Sequence, residues 1–589
     1  MLFDEVSKYY EKLEATSSRL SMVDILSEML SKSDKGEIKN LVYITQGVLA
    51  PPFAGVQIGI AEKFAQSAIA TASGFSKEDV VAEYRKLGDM GLAAEHFVSR
   101  MKLRPMAKTQ LGINHISESM LKIAHTSGTG SQEMKIRMMV QLLASSTPLE
   151  ARYLTRLSLG TLRLGAGDAT IMEALSKMAT GKRDAKAVLE SAYNICSDLG
   201  RVAEILAEKG ITGVERLKVS LFSPIRPALA ERLPTAEEIL ERMGGKCAVE
   251  AKYDGFRVQA HVNVKEKKVE LFSRNLENTT LMFPDIAKAA LTEIDAKEAI
   301  LEGEALSYDD ATGEFRPFQE TIQRKRKHGI AEKSAEFPLR MFAFDLMYLD
   351  GEDYLHKPYS ERRKTLEKVV NGKGTIRFSD RIIATDAKEI DKYFEDAVER
   401  GLEGIVAKDL GAPYIAGARK FSWIKLKRSY RGELSDTLDL VIIGYYLGRG
   451  QRAEFGFGGL LCAVYNDKKD VFETITRVGT GFTEKNMKDF SEMLKKIRKD
   501  KKPARVEAEI EPNFWVEPRY VITVKADEIT KSPMHTCGKE PGSGNPGYAL
   551  RFPRLVSDGI REDKSPEDAT STQEILEMYK MQKKVKIGS

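Results

Sequence analysis

The hydrophobic pattern of this chain changes its period once, and that change restricts it to a multidomain architecture. Before the proline-marked stretch Ser223-Pro224-Ile225-Arg226-Pro227, apolar residues recur at helical spacing, as in Leu2, Val6, Tyr9, Tyr10 and Leu13. Thr147-Pro148-Leu149-Glu150 joins an N-cap threonine, a first-turn proline and a glutamate three residues after the cap, which announces a further helix. Leu164-Gly165-Ala166-Gly167-Asp168 reads as one helix stopping and the next being capped by Asp168. After the prolines, alternating runs such as Val269–Ser273 and the apolar run Leu339–Leu349 predict strands, mixed with helices such as Ala387–Glu399. From Leu438 the chain is mainly strands (Leu438–Tyr446, Leu460–Tyr465, Phe472–Val478, Tyr520–Val524), interrupted by a helix over Glu484–Arg498 and followed by one over Thr572–Lys584. Short strands, glycine turns and a single helix suit an OB-type barrel, with Gly456-Phe457-Gly458-Gly459 as a hairpin connection. The fold expected is therefore multidomain. An all-α N-terminal domain spans 1–218, an α+β domain 219–430, and a C-terminal OB-fold β-barrel with a last helix 431–589.

A length of 589 residues supports this division, since it exceeds what one core holds. The net charge of +5 is small for that length, so any nucleic-acid surface must be a local patch. The run Gln323-Arg324-Lys325-Arg326-Lys327 is one candidate, against a solvated run or a nuclear address. Short glycine links such as Ser127-Gly128-Thr129-Gly130-Ser131 could expose backbone N–H groups to phosphates, although ordinary helix caps account for any single link better. Cys196, Cys247, Cys462 and Cys537 lie too far apart for a metal finger and suit reduced thiols. His535 with Cys537 cannot close a metal site. The charged opening, Met1–Thr16, is no signal peptide, and no run of 18 uncharged apolar residues offers a membrane span. A soluble, intracellular chain is expected, with no membrane partner.

There is no G-x-x-x-x-G-K-[ST] and no H-E-x-x-H, so a P-loop and a zincin site are both absent. The informative stretch is Glu250-Ala251-Lys252-Tyr253-Asp254-Gly255-Phe256-Arg257. Its K-x-D-G core is weak alone and gains weight from six further strings downstream, in this order: Ser273-Arg274-Asn275, Glu302-Gly303-Glu304, Phe342-Ala343-Phe344-Asp345, Glu403-Gly404-Ile405-Val406-Ala407-Lys408, Trp423-Ile424-Lys425-Leu426-Lys427 and Arg561-Glu562-Asp563-Lys564. A lysine is protonated at neutral pH and cannot attack phosphorus. Nearby cations and partial desolvation are expected to release the Lys252 amine. Lys425 and Lys427 alternate on a strand, share a face and can supply that field, neutralising a phosphate as charge moves onto a leaving group. Gly255 permits close backbone approach. Glu304 and Glu403 offer the hard oxygens that Mg²⁺ takes. The bland readings are a strand-core Phe344, solvated lysines, a surface carboxylate at Glu304, and Arg274 and Arg419 as surface ion-pair partners.

This ordered series resembles the six motifs of the covalent nucleotidyltransferase superfamily, which unites DNA ligases, RNA ligases and capping enzymes. Over nearly the whole chain it is most similar to ATP-dependent DNA ligases of the archaeal and eukaryotic replicative type. Tyr43-Ile44-Thr45-Gln46-Gly47 and Gly160-Thr161-Leu162-Arg163-Leu164-Gly165 resemble that family's helical DNA-binding domain. Glu528–Cys537 and Leu550–Arg554 resemble its barrel.

The resemblance implies that residues 219–430 are an adenylation domain in which Lys252 is the adenylated nucleophile. Glu250 would read the adenine, since a carboxylate accepts from the N6 amino group and repels a guanine O6. Arg257 and Arg274 would hold ribose and phosphate, Glu304 the ribose or its metal, and Phe344 would stack on the base. Glu403 would serve the metal, Arg419, Lys425 and Lys427 would bind phosphate, and Arg561, Asp563 and Lys564 would orient the pyrophosphate. One departure is Glu302, where many relatives carry aspartate. The implied cofactors are ATP as AMP donor and Mg²⁺ or Mn²⁺. The implied partner is nicked double-stranded DNA, bound by a monomer acting in the cytoplasm of an archaeal cell, or in the nucleus if eukaryotic. A sliding clamp is a further implied partner, although Lys108-Thr109-Gln110-Leu111-Gly112-Ile113 lacks the paired aromatics of a clamp-binding peptide. The alternatives are an RNA ligase or a capping guanylyltransferase, which Glu250 and the long helical domain disfavour. An NAD-dependent ligase would bring a four-cysteine zinc cluster, and a non-catalytic scaffold would have no reason to keep Lys252, Glu403, Lys425 and Lys427.

Overall fold

The computed structural model describes residues 1–585 apart from 102–109, 163, 310–313, 316–320, 322–323, 325–329, 401, 428–436, 448–455, 527, 541–544 and 552. Two compact units result. One comprises Met1–Glu190, Asp198–Arg216 and Thr437–Tyr579; the other comprises Ser191–Ser197, Leu217–Asp436 and Lys580–Ser589. The helical and barrel stretches thus share a unit, and the α+β stretch forms the other. Among the described residues no helix is long and apolar enough to cross a membrane.

In the first unit, helices follow their caps. Thr147 Oγ1 accepts from the Glu150 N–H at 3.3 Å, and the Glu150 carboxylate accepts from the Thr147 N–H at 2.7 Å, with Pro148 leading the helix Pro148–Ser158. Such a cap contributes about 1 kcal/mol. Asp168 departs from expectation. The cap of Asp168–Thr180 is Gly167, and the Asp168 carboxylate accepts instead from Gln46 Nε2 at 2.8 Å, where it ties two helices together. The Ser131–Ser145 helix opens from Gly130, whose φ of 78° needs a glycine.

The β-rich part runs Thr437–Tyr446, Gly459–Asn466 and Val471–Val478 as an antiparallel meander, then the helix Glu484–Lys496, then Val521–Lys525 and Arg554–Ile560. Val521–Lys525 pairs with both Thr437–Tyr446 and Arg554–Ile560, and a bridge from Thr480 to Arg554 returns the sheet on itself. Five strands closed around one inserted helix make the expected OB arrangement. Gly456–Gly459 leads into the second strand as expected, with Gly458 donating to the Tyr446 carbonyl at 2.7 Å. Between helices and barrel, Arg19 donates to the Lys469 carbonyl at 2.5 Å and to Glu173 at 3.0 Å.

The second unit packs two sheets. The five-stranded one is ordered Leu229–Arg232, Arg419–Lys427, Gly404–Lys408, Cys247–Lys252, Arg381–Ala384. The other centres on Phe256–Asn263, Glu298–Asp309 and Leu339–Leu349. Apolar residues alternate onto buried faces. Val258, Ala260, Leu301, Ala305, Met341 and Ala343 fill one core, and Val249, Ile405, Ile424 and Leu426 another. Each large aliphatic side chain buried this way contributes about 1.5–3 kcal/mol. The helix Tyr359–Val369 closes this unit with Tyr359, Arg362, Arg363 and Leu366 inward. Arg324, from the run read as a nucleic-acid patch, is only 2% exposed. Its guanidinium donates to both oxygens of Asp285 at 2.9 Å and to the Phe337 carbonyl at 2.6 Å, so it is a core staple. The rest of that run lies outside the described residues.

Candidate active site

Strand register turns the five-stranded sheet into a grid. Gly404 pairs with both Lys252 and Lys427, and Val406 pairs with both Glu250 and Lys425. Directly paired residues share a face, so Lys252 and Lys427 flank Gly404 in one row, while Glu250 and Lys425 flank Val406 in the next. Glu403, just before the glycine, reaches both ammoniums and is in ion-pair contact with Lys252 and Lys427. Beside the cations expected near Lys252, the structure places a carboxylate in direct contact with it, which the sequence reading did not bring into that pair. Burial would raise the Glu403 carboxyl, but Lys252 and Lys427 outweigh it and hold the group well below the ordinary carboxylate range.

Gly404 makes this row possible. Its φ is +147°, and a Cβ would meet the Leu426 carbonyl oxygen at 2.1 Å. Gly404→Ala is expected to destabilise the unit by about 2 kcal/mol or more, through both a forbidden backbone conformation and a backbone clash. Urea unfolding checks this, and a loss below half that value would contradict it. Gly255 likewise permits the close approach expected of it, since a Cβ would lie 2.5 Å from the Ala305 carbonyl oxygen.

The second sheet supplies the opposing groups. Arg257 donates to both oxygens of Glu302, at 2.8 and 2.9 Å, and to the Ala228 carbonyl at 2.7 Å. Tyr414 donates to the same Glu302 at 2.8 Å. Glu302 is therefore the clamp that aims Arg257, a role the sequence did not suggest. Arg257, Arg274 and Glu302 line one cleft. Behind it, Gln259 holds Ile225 through both amide atoms, and neutral His261 accepts from the Phe222 N–H at 3.0 Å. Burial pushes that imidazole down to about 3.

Glu304 pairs across the strands with Arg257. Its carboxyl is pushed up to about 7 by burial, with Lys252 and Arg257 opposing and Asp254 and Glu403 adding to the rise. A raised carboxyl means that the folded chain binds the extra proton between its ordinary 4.5 and about 7. Stability from this group is therefore greatest below 4.5 and falls as pH rises through that window. In chelator-containing buffer, Glu304→Gln should flatten the decline in unfolding midpoint between pH 5 and 8. An equal decline in both chains would contradict this.

Phe344 meets Trp423 edge-on at 5.8 Å, with the Arg257 guanidinium 5.6 Å from its ring. Glu250 is 2% exposed and held through both oxygens: Tyr359 donates to Oε1, Arg363 lies 3.5 Å from the same oxygen, and Lys408 lies 2.9 Å from Oε2. Next to Phe344, Asp345 takes a bidentate pair from Arg362 at 2.7 and 3.0 Å. Sequence reading missed Tyr359, Arg362, Arg363, Tyr414 and any role for Lys408.

The structure therefore gathers Lys252, Glu250, Arg257, Arg274, Glu304, Phe344, Glu403, Lys425 and Lys427 in one unit on two facing sets of strands. Arg419 begins the strand that Lys427 ends, paired with Leu229 next to the Ala228 carbonyl that takes Arg257, with a register shift between Lys420 and Ile424. Arg561, Asp563 and Lys564 belong to the other unit. There Arg561 pairs with Asp563 through two bonds of 2.7 Å, and both Arg561 and Lys564 engage Asp439.

Family profiles described as "DNA ligase N terminus", "ATP dependent DNA ligase domain" and "ATP dependent DNA ligase C terminal region" match residues 2–176, 227–427 and 453–564. A "Probable DNA ligase" of Dictyoglomus thermophilum is 47% identical over 588 residues, covering 100% of this chain and 99% of its own. A "DNA ligase" of Saccharolobus solfataricus is 43% identical over 599 residues with the same coverage. Among solved structures, "mycobacterial DNA ligase D complexed with ATP and MES" is 24% identical, covering 59% of this chain and 97% of that one at a TM-score of 0.33. Matches along all three parts, with relatives aligned end to end, leave one conclusion: the chain belongs to the ATP-dependent DNA ligase family.

Proposed function

We propose that this ligase seals 5′-phosphate/3′-hydroxyl nicks in duplex DNA through an AMP carried on Lys252. The observation that carries this reading is the row Lys252–Gly404–Lys427 bridged by Glu403, one register step from Glu250. The Lys252 nitrogen attacks the ATP α-phosphorus; an N–P bond forms, the bond to the β-phosphate oxygen breaks, and pyrophosphate leaves. AMP then passes to the 5′-phosphate of the nick, and the 3′-hydroxyl expels it. Lys252 gives up one proton in this step, and Glu403 is the carboxylate in ion-pair contact with it. Its work is to keep Lys252 and Lys427 in place until phosphate oxygens replace it. Lys425 and Lys427 then meet the charge that develops on the triphosphate, and Arg257, aimed by Glu302, meets ribose or phosphate.

Mg²⁺ or Mn²⁺ fits the donor set. Glu403 adds to the cost of ionising Glu304, and a divalent ion held by the two carboxylates would relieve it. Such an ion would supply charge neutralisation to the triphosphate. Nicked duplex is the proposed substrate of a monomeric enzyme, contacted through phosphate and groove shape because sealing must ignore sequence. Clamp binding is the further proposal, and failure of the chain to stay on clamp resin removes it. Arg561, Asp563 and Lys564 are proposed to orient the departing pyrophosphate.

The test is incubation with α-labelled ATP and Mg²⁺, peptide mapping of the label, and then addition of nicked duplex. Label on the peptide bearing Lys252, discharged by nicked DNA with sealing, is the expected result. Label elsewhere, or label on Lys252 that nicked duplex does not discharge, would overturn it.

A further inference from the structure

Lys408 ends its strand almost wholly enclosed, with 1% of its surface exposed. None of the proposed chemical steps uses it. Its ammonium lies 2.9 Å from Glu250 Oε2 and donates to the Phe344 carbonyl at 3.2 Å. Three rings surround it, with centroids 4.2 Å away for Trp423, 4.6 Å for Phe344 and 4.9 Å for Tyr359. An ammonium at such a place is costly unless paired, and an apolar side chain of equal length would pack there without that cost. What it touches explains its presence. One contact is the carboxylate read as meeting the edge of the base, and two others, a ring face and a carbonyl, belong to Phe344, the aromatic read as meeting its face.

We propose that Lys408 is a specificity-determining positioning residue, whose ammonium fixes the Glu250 carboxylate as a hydrogen-bond acceptor beside Phe344 and so makes the ligase choose a 6-amino purine over a 6-oxo one. Glu250 Oε1 is held by Tyr359 and approached by Arg363, which leaves Oε2 as the oxygen whose direction Lys408 alone sets among the contacts described. The pairing also keeps the carboxylate a pure acceptor, since every group against it is a donor. A 6-amino purine presents N–H to such an oxygen, whereas a 6-oxo purine presents a second acceptor and is repelled. Burial draws the Lys408 ammonium below its ordinary range, with Glu250 and Asp345 opposing. In Lys408→Met, Oε2 loses its donor and only Oε1 remains held.

The inference rests on adenylation of Lys252, and the experiment separates the two. The rate of label uptake over nucleotide concentration is measured for ATP and for ITP, which differ at position 6, on the native chain, Lys408→Met and Tyr359→Phe. The ATP-to-ITP ratio is expected to fall at least about tenfold in Lys408→Met, a single well-placed polar contact being worth that much discrimination. Tyr359→Phe should shift it in the same direction by less. A residue that only supported the fold would lower both nucleotides alike, so an equal fall or an unchanged ratio overturns the inference. If Lys408→Met does not fold, as judged by its thermal transition, Tyr359→Phe decides: a lowered ratio supports the inference and an unchanged one overturns it. A native chain that takes label from neither nucleotide would remove the adenylation reading and this inference with it, whereas native labelling with an unmoved ratio removes this inference alone.

Discussion

Lys252→Met is expected to abolish self-adenylation, with a fall on the order of 10⁴-fold or more, because no other side chain can take over as nucleophile. The variant should keep its fold. Lys252 is partly exposed at the end of its strand, and Glu403 retains Lys427 as a partner when it is gone. The scheme also predicts what survives. Closure of a nick that already carries AMP on its 5′-phosphate needs no free lysine, so Lys252→Met should still seal a pre-adenylated nick while failing on an ordinary one with ATP. Gel-resolved sealing of both substrates checks this. Equal failure on both would show that Lys252 does more than carry AMP, and residual labelling would place the nucleophile elsewhere.

Asp345→Ala should be the most damaging change to stability. Asp345 and Arg362 are both fully buried, and two bonds of 2.7 and 3.0 Å join them. Removing the carboxylate strands a guanidinium in the core, a loss of about 3–5 kcal/mol. Asp345→Leu combined with Arg362→Met removes both charges and should recover part of it. Recovery stays incomplete because Arg362 also donates to the carbonyls of Lys357 and Ala412, at 2.7 and 3.0 Å, which then lack that donor. The chain has two tryptophans, Trp423 in this unit and Trp515 in the barrel, so urea unfolding followed by fluorescence in a Trp515→Phe background reports on the right unit. A single-variant loss under about 1 kcal/mol would show that water reaches the stranded charge.

The contrast between these two residues shows what a sequence can disclose. Lys252, Glu250 and the Lys425/Lys427 alternation were legible because a reaction needs those groups at those spacings. The strand alternation that places them is a local property. The supports are different. Tyr359, Arg362, Arg363 and Leu366 occupy positions i, i+3, i+4 and i+7, the spacing of an inward helix face. Two arginines on such a face are normally taken as solvated, and only the arrival of Glu250 and Asp345 from distant strands makes them core residues. The spacing was the available signal: charges on a core face demand buried counter-charges. Arg324 misled for the same reason, its partner Asp285 lying in a helix far back in the sequence. The Asp168 cap failed because Gln46, from another helix, captures its carboxylate. Glu302 stayed hidden because its function is to aim Arg257, which requires two strands in register.

Asp439 carries a consequence for the barrel. Its carboxylate occupies Arg561 and Lys564 together and accepts a further bond from Thr523 at 2.8 Å. With Asp563 also on Arg561, the two cations are thus already balanced at rest by two resident carboxylates. A visitor must outbid the shared Asp439, so a lone phosphodiester, of the same charge, gains little by exchange. A polyphosphate tail brings several charges at once and wins. On the proposed reading the arrangement sets a threshold on valence, favouring the densely charged end of a nucleotide over a lone phosphodiester.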